Sequence, residues 1–147
     1  TEDVLSESSK SLENAIAYAK KIISQAIALR DQNSGNKNRS ILKTAVDFID
    51  SHYMEEDMSL NKAANAANVS ANHFSALFSQ NMGQTFIEYL TNLRMNKAKE
   101  YLRCTSMRSS EIAGEIGYKD AHYFSYLFKK TQGMTPSDYR KAREDKA

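Results

Sequence analysis

A chain of 147 residues with net charge +2, 41% hydrophobic and 26% charged, has room for one globular domain and an appendage. Its single cysteine, Cys104, excludes an internal disulfide and leaves no basis for a zinc site. No apolar run approaches the ~20 residues that span a membrane, and Thr1-Glu2-Asp3 is no secretion signal, which fits the cytoplasm or another reducing compartment.

The chain opens without Met inside an apparent helix, as a piece of a longer protein would. Residues 3–32 read as one separate helix. Leu5, Leu12, Ala19 and Ala26 recur at heptad spacing, with Ala15, Ile22 and Leu29 three further on and Ser8 weakening the first step. This alanine-rich stripe leaves two uses open, a homodimer through residues 3–32 or docking onto a further domain. Asn33-Ser34-Gly35-Asn36-Lys37-Asn38 has breakers and no apolar anchor, which predicts a linker. The boundary is placed there, with residues 1–40 as helix and linker and 41–147 as the domain.

From Ile41 to Tyr53 the apolar positions fit a helical period. Ser59 is placed to cap a short helix through Ala67, and Ser70 the next, whose buried face is Phe74, Leu77 and Phe78. Thr85 and Glu88 form a Ser/Thr-x-x-Glu capping box that opens a helix to about Arg103. Cys104, at its end, reads as a small core residue. A short helix near Ser110–Ile116 stops at Gly117, Asp120 caps another, and Thr135-Pro136 starts the last with proline at its first position. No segment alternates as a strand would, so the expected fold is all-α.

An internal repeat organises these elements. At an offset of 50, residues 71–89 match residues 121–139 in eight of nineteen positions, among them Phe74/Phe124, Leu77/Leu127, Phe78/Phe128, Gly83/Gly133, Thr85/Thr135 and Tyr89/Tyr139. Upstream, Ala64 pairs with Ala113 one residue out of step, so the second copy has the longer turn. Each copy is a short helix, a tight turn and a capped second helix: two helix-turn-helix units joined by a linker helix. That linker, at 1.5 Å per residue, spans about 28 Å, close to the ~34 Å between major-groove segments on one face of a duplex. Charge is divided accordingly. Residues 41–93 carry two basic and six acidic side chains, whereas 94–143 carry eleven basic and five acidic.

Residues 41–143 resemble the AraC/XylS-type domain of bacterial transcription regulators. The resemblance rests on Leu90, Arg94-Met95, Ala98 and Leu102 in the linker helix and on Glu111-Ile112-Ala113 and Gly117-Tyr118. It is strongest in Tyr123-Phe124-Ser125, Phe128-Lys129-Lys130, Gly133, Thr135-Pro136 and Tyr139-Arg140. Ser79-Gln80 and Ala76 depart from it, standing where a basic pair and an arginine are expected, and Ser109 replaces an apolar residue. It implies sequence-specific binding of double-stranded promoter DNA, contact with RNA polymerase and an N-terminal sensor or receiver domain. It also implies that Ala71, Asn72, Ser75 and Ala76 in the first unit, and Ala121, His122, Ser125 and Tyr126 in the second, face the groove. Asn72 suits adenine and His122 guanine. His73 and Tyr123 lie at the groove edge, where packing is the simpler role. Lys129, Lys130 and the amides at the Thr135 cap are expected on phosphates. Arg94 has two candidate roles, a phosphate contact or an ion pair with Glu111 or Asp120.

Catalysis finds no support. His52, His73 and His122 lack metal spacing, no nucleophile–base set stands out, and no glycine-rich phosphate loop or cofactor signature is present. Asp47, Asp50, Glu55, Glu56 and Asp57 read as solvated surface, with Glu55-Glu56-Asp57 a candidate polymerase contact. The rival expectation is a protein-interaction bundle of the same fold that reads no DNA.

Overall fold

The computed structural model describes the backbone of residues 2–146 and the side-chain surroundings of residues 10–146 except 31. The side chains of Leu5 and Ser8, the start of the heptad pattern, lie outside the described residues, as does Thr1. Seven helices follow in order: α1 Glu2–His52, α2 Leu60–Ala66, α3 Ala71–Met82, α4 Phe86–Cys104, α5 Ser109–Glu115, α6 Ala121–Gln132 and α7 Pro136–Glu144. No strand occurs among the described residues.

Packing divides the chain into two units, residues 1–40 and 41–147. The expected interruption at Asn33–Asn38 does not occur, because α1 is helical straight through it. Gly35 costs about 1 kcal/mol relative to alanine. No proline removes a donor, however, and each residue added to an existing helix gains a hydrogen bond. Within residues 1–40 every described side chain from Lys10 to Lys37 is exposed. Leu12, Ile16, Ile23 and Ile27 are among the large apolar groups left in water.

Residues 41–147 hold two cores. Ala45 and Ile49 of α1 gather with Ala63, Ala64, Phe74, Phe78, Phe86 and Leu90. Met95, Ala98 and Leu102 gather with Ile112, Ala113, Ile116, Phe124 and Phe128. Helix α4 therefore supplies both, Phe86 and Leu90 to one and Met95, Ala98 and Leu102 to the other. Burying each phenylalanine contributes roughly 1.5–3 kcal/mol. The alanines at the α2 and α5 positions let paired helices approach closely. Cys104 does not join the core. It is exposed on the last turn of α4, two residues past buried Leu102 and so on another side of the helix.

The repeat survives in three dimensions. Helices α3 and α6 are both twelve residues long and end at glycines in the left-handed region, Gly83 at φ 69° and Gly133 at φ 83°. Val69 N–H donates to Ala64 O in the first unit and Tyr118 N–H to Ala113 O in the second. That equivalence holds at offset 49, and the next equivalence, Ser70 with Asp120, at 50. Lys119 is thus the inserted residue of the longer turn.

Candidate nucleic-acid interface

The starts of α3 and α6 are set by their caps. Ser70 Oγ accepts from His73 N–H at 3.2 Å. Asp120 Oδ1 accepts from His122 N–H at 2.8 Å and Tyr123 N–H at 3.3 Å. With Phe74 and Phe124 fully buried, the helical period turns the cap-proximal positions away from the core. Asn72 and Ala76 are exposed and Ala71 and Ser75 half-buried, while His122 and Tyr126 are exposed and Ala121 and Ser125 half-buried. The two sets thus carry matching burial at repeat-equivalent places. They differ in chemistry, since the first offers one amide and the second an imidazole and a phenol. Tyr126 is 60% exposed, and Lys130 Nζ lies 5.9 Å from its ring centroid. Tyr123 stands with its ring edge-on to Tyr118 at 5.9 Å yet stays half in solvent, and His73 is exposed.

Lys129 and Lys130 occupy the last turn of α6, exposed and without an ion pair among the described residues. The equivalent turn of α3 holds Ser79 and Gln80. The caps of α4 and α7 also differ. Thr85 N–H donates to Glu88 Oε2 at 2.9 Å while Glu88 N–H donates to Thr85 Oγ1, so the box is closed. In the second unit Asp138 N–H donates to Thr135 Oγ1 at 3.1 Å. The shorter Asp138 side chain returns no bond, so among the described residues no acceptor takes Thr135 N–H.

Arg94 is 6% exposed and bonds neither Glu111 nor Asp120 among the described residues, which corrects the expected ion pair. Its Nε donates to Tyr53 O and its Nη2 to Glu55 O, each at 2.9 Å, and its guanidinium lies 4.9 Å from the Tyr118 ring centroid. Burial raises the Tyr118 phenol pKa, against the opposing pull of Arg94. Glu111 instead accepts from Arg108 N–H at 2.7 Å, so α5 begins earlier than expected, with Arg108 at its cap position.

The acidic stretch is partly neutralised. Lys62 Nζ lies 2.6 Å from Asp57 and 3.4 Å from Glu55, and its hydrogen bond holds the Asp57 carboxyl below its ordinary pKa. Among the described residues no group of three or more His, Cys, Asp or Glu side chains is placed to hold a metal. No described helix is long and apolar enough to cross a membrane.

The contacts of Arg140, Tyr89 and Tyr139 are not readable from the sequence. Arg140 donates to Leu102 O, Thr105 O and Met107 O, closing the end of α4. The equivalent tyrosines Tyr89 and Tyr139 shift in opposite directions. Burial and a 2.9 Å hydrogen bond to Asp50 push Tyr89 up to about 12. At Tyr139 burial acts upward too, but Arg143 and Arg103 beside the phenol outweigh it and lower its pKa. Positive charge therefore gathers around the second copy of this tyrosine and negative charge around the first.

Comparison with known proteins agrees with this architecture. A family profile described as "Helix-turn-helix domain" matches residues 63–142. The lactose operon transcription activator of Staphylococcus xylosus is 36% identical over 99 residues, 67% of this chain and 35% of that protein. The chain's matches cover only 12%, 35% and 38% of the first curated relatives. The C-terminal domain of AraT, a response regulator from Geobacillus stearothermophilus, superposes with TM-score 0.69 at 40% identity, over 70% of this chain and 85% of that one. A transcriptional regulator with an AraC-type DNA-binding domain from Chromobacterium violaceum gives TM-score 0.64 at 27% identity, over 76% of this chain and 96% of that one. With its duplicated capped helices and its single bridging helix, the chain belongs to the AraC-type helix-turn-helix family of bacterial transcription regulators.

Proposed function

We propose that residues 41–147 bind duplex DNA with α3 and α6 in two successive major grooves, and so regulate transcription as part of a longer bacterial protein. The observation that carries this reading is the repeat. Two capped twelve-residue helices present matching outward positions on either side of one nineteen-residue helix. Asn72, Ser75, His122, Ser125 and Tyr126 are the polar base-reading groups, with Ala71, Ala76 and Ala121 supplying close apolar approach to thymine methyls. Lys129, Lys130 and Thr135 N–H supply phosphate contacts. The domain acts in the cytoplasm by binding alone, without a catalytic step.

Promoter DNA is the principal partner. RNA polymerase and an N-terminal sensor or receiver domain complete the proposed assembly, and the exposed apolar side chains of α1 favour a homodimer. Selection from random duplex, followed by hydroxyl-radical footprinting, tests the central claim. Two protected segments about one helical turn apart on one side are expected. Inserting five base pairs between them turns one half-site by about half a turn, and affinity should then fall to that of a single unit. Binding without sequence preference would favour the interaction-bundle alternative.

A further inference from the structure

A helix end leaves carbonyls without partners, and here two arginines close two such ends. In the second unit the carbonyls of Leu102 in the last turn of α4 and of Thr105 and Met107 after it are taken by Arg140 of α7, a bond set internal to that unit. In the first unit the carbonyls after α1 (Tyr53 and Glu55) are taken by Arg94 of α4. At offset 49 Tyr53 is the repeat counterpart of Leu102, yet the two arginines are not counterparts. At offset 50, Arg140 pairs with Leu90, one helical turn before Arg94.

That one-turn displacement moves the first unit's guanidinium off its own core and onto the neighbour. Arg94 falls between Leu90, the last α4 residue in the first core, and Met95, the first in the second. Gly117 and Tyr118 of the second unit then cover it. A Cβ added to Gly117 would come within 2.7 Å of Arg94 Nη2 and 2.9 Å of Tyr53 O. The first unit's α1–α2 loop, helix α4 and the turn that launches α6 therefore meet at one buried cation. Tyr118 is two residues from Asp120, the cap of α6. Arg94 touches a member of each core, Tyr53 of the first and Tyr118 of the second, so its position bears on how the two units face each other.

We infer that Arg94 is a positioning residue that fixes the orientation of α6 relative to α3 and thereby the half-site spacing the domain accepts. This rests on the two-groove reading proposed above. The Arg94 fork holds two carbonyls of the first unit while its guanidinium lies over a ring of the second, so rotating one unit about α4 breaks one side of this bridge. Lysine can donate to a carbonyl but has no planar fork with which to hold both in this geometry.

The test uses the full chain and its selected duplex, with half-sites at the selected spacing and one base pair nearer or farther. Each one-base-pair step shifts a half-site by about 3.4 Å and about 35°. Wild type should lose about tenfold in affinity per step, as for one mismatched base pair. Arg94→Met should bind the selected site more weakly yet discriminate spacings by about threefold or less, with base preference inside each half-site unchanged. Arg94→Lys should fall between them, and Tyr118→Leu should relax spacing while leaving the carbonyl bonds in place.

Circular dichroism and thermal melting establish folding first. A folded Arg94→Met that keeps the wild-type spacing ratio overturns the inference. Should that variant not fold, Tyr118→Leu decides by the same ratio. A wild-type footprint of only one segment defeats the two-groove reading itself, whereas two segments with unchanged variants defeat the positioning role alone.

Discussion

Removing Lys129 and Lys130 measures how the proposed interface obtains its affinity. Both ammonium groups are exposed on the last turn of α6 with no carboxylate partner among the described residues, unlike Lys62 and Lys97, which are paired. Each is therefore available to displace a counterion from DNA, and each phosphate neutralised contributes about 0.9 to the slope of log K against log salt. The double variant Lys129→Ala/Lys130→Ala should flatten that slope by about 1.8, so between 50 and 200 mM salt wild type should lose about twelvefold more affinity than the variant. Fluorescence anisotropy on the selected duplex and on a random one should give the same change, since phosphates carry no sequence. The repeat supplies a gain-of-charge control. Gln80→Lys places a lysine in the first unit at the position equivalent to Lys130 and should steepen the slope by about one unit. An unaltered slope in the double variant on both duplexes would refute phosphate contact by this turn.

His122→Ala should relax preference at one or two base pairs by about 1–3 kcal/mol, read by repeating the selection; an unchanged motif would remove His122 from the base-reading set. Leu102→Ala should cost about 2–5 kcal/mol in urea unfolding because it leaves a cavity, whereas Cys104→Ala, two residues on and exposed, should stay within about 0.5 kcal/mol. Tyr89, held up to about 12 by burial and by Asp50, has a folded pKa above the ordinary 10.0. Its stabilisation is therefore complete below pH 10 and lost as pH rises towards 12. The wild-type minus Tyr89→Phe difference in melting temperature should shrink across that window, and a flat difference would show that Tyr89 gains no proton affinity on folding.

Much of this fold is legible in the chain because its signals are local and redundant. The Thr85–Glu88 box, the paired glycines and the phenylalanines at helical spacing each specify one junction or one face, and the 50-residue offset ties them together. The end of the first helix was not legible in the same way. Asn33–Asn38 has weak helix formers, but helix continuation depends on hydrogen bonds already made upstream, which a window of six residues does not contain. Arg94 is the more instructive miss. Leu90, Arg94, Ala98 and Leu102 recur every fourth residue, so periodicity alone puts the guanidinium on the buried face. Side-chain patterns offer such a cation only phosphates or carboxylates as partners. Its acceptors, two main-chain carbonyls some forty positions earlier, are invisible to any side-chain pattern. Among the outward positions, burial follows the helical period as expected, because Phe74 and Phe124 anchor the phase of each helix.

The matched borders of α3 and α6 make each helix an interchangeable cartridge. Both have an oxygen-bearing cap immediately before a twelve-residue helix and a left-handed glycine immediately after it. Inside those borders the inward residues Phe74/Phe124, Leu77/Leu127 and Phe78/Phe128 are the same amino acids in the same places. A transplanted stretch thus presents the receiving core with the same key apolar side chains, while its solvent side brings a different chemistry. Selection acting on such a layout can exchange one half of a recognised sequence without redesigning the scaffold. On the proposed two-groove reading, splicing residues 121–132 in place of 71–82 should turn an asymmetric target into a direct repeat.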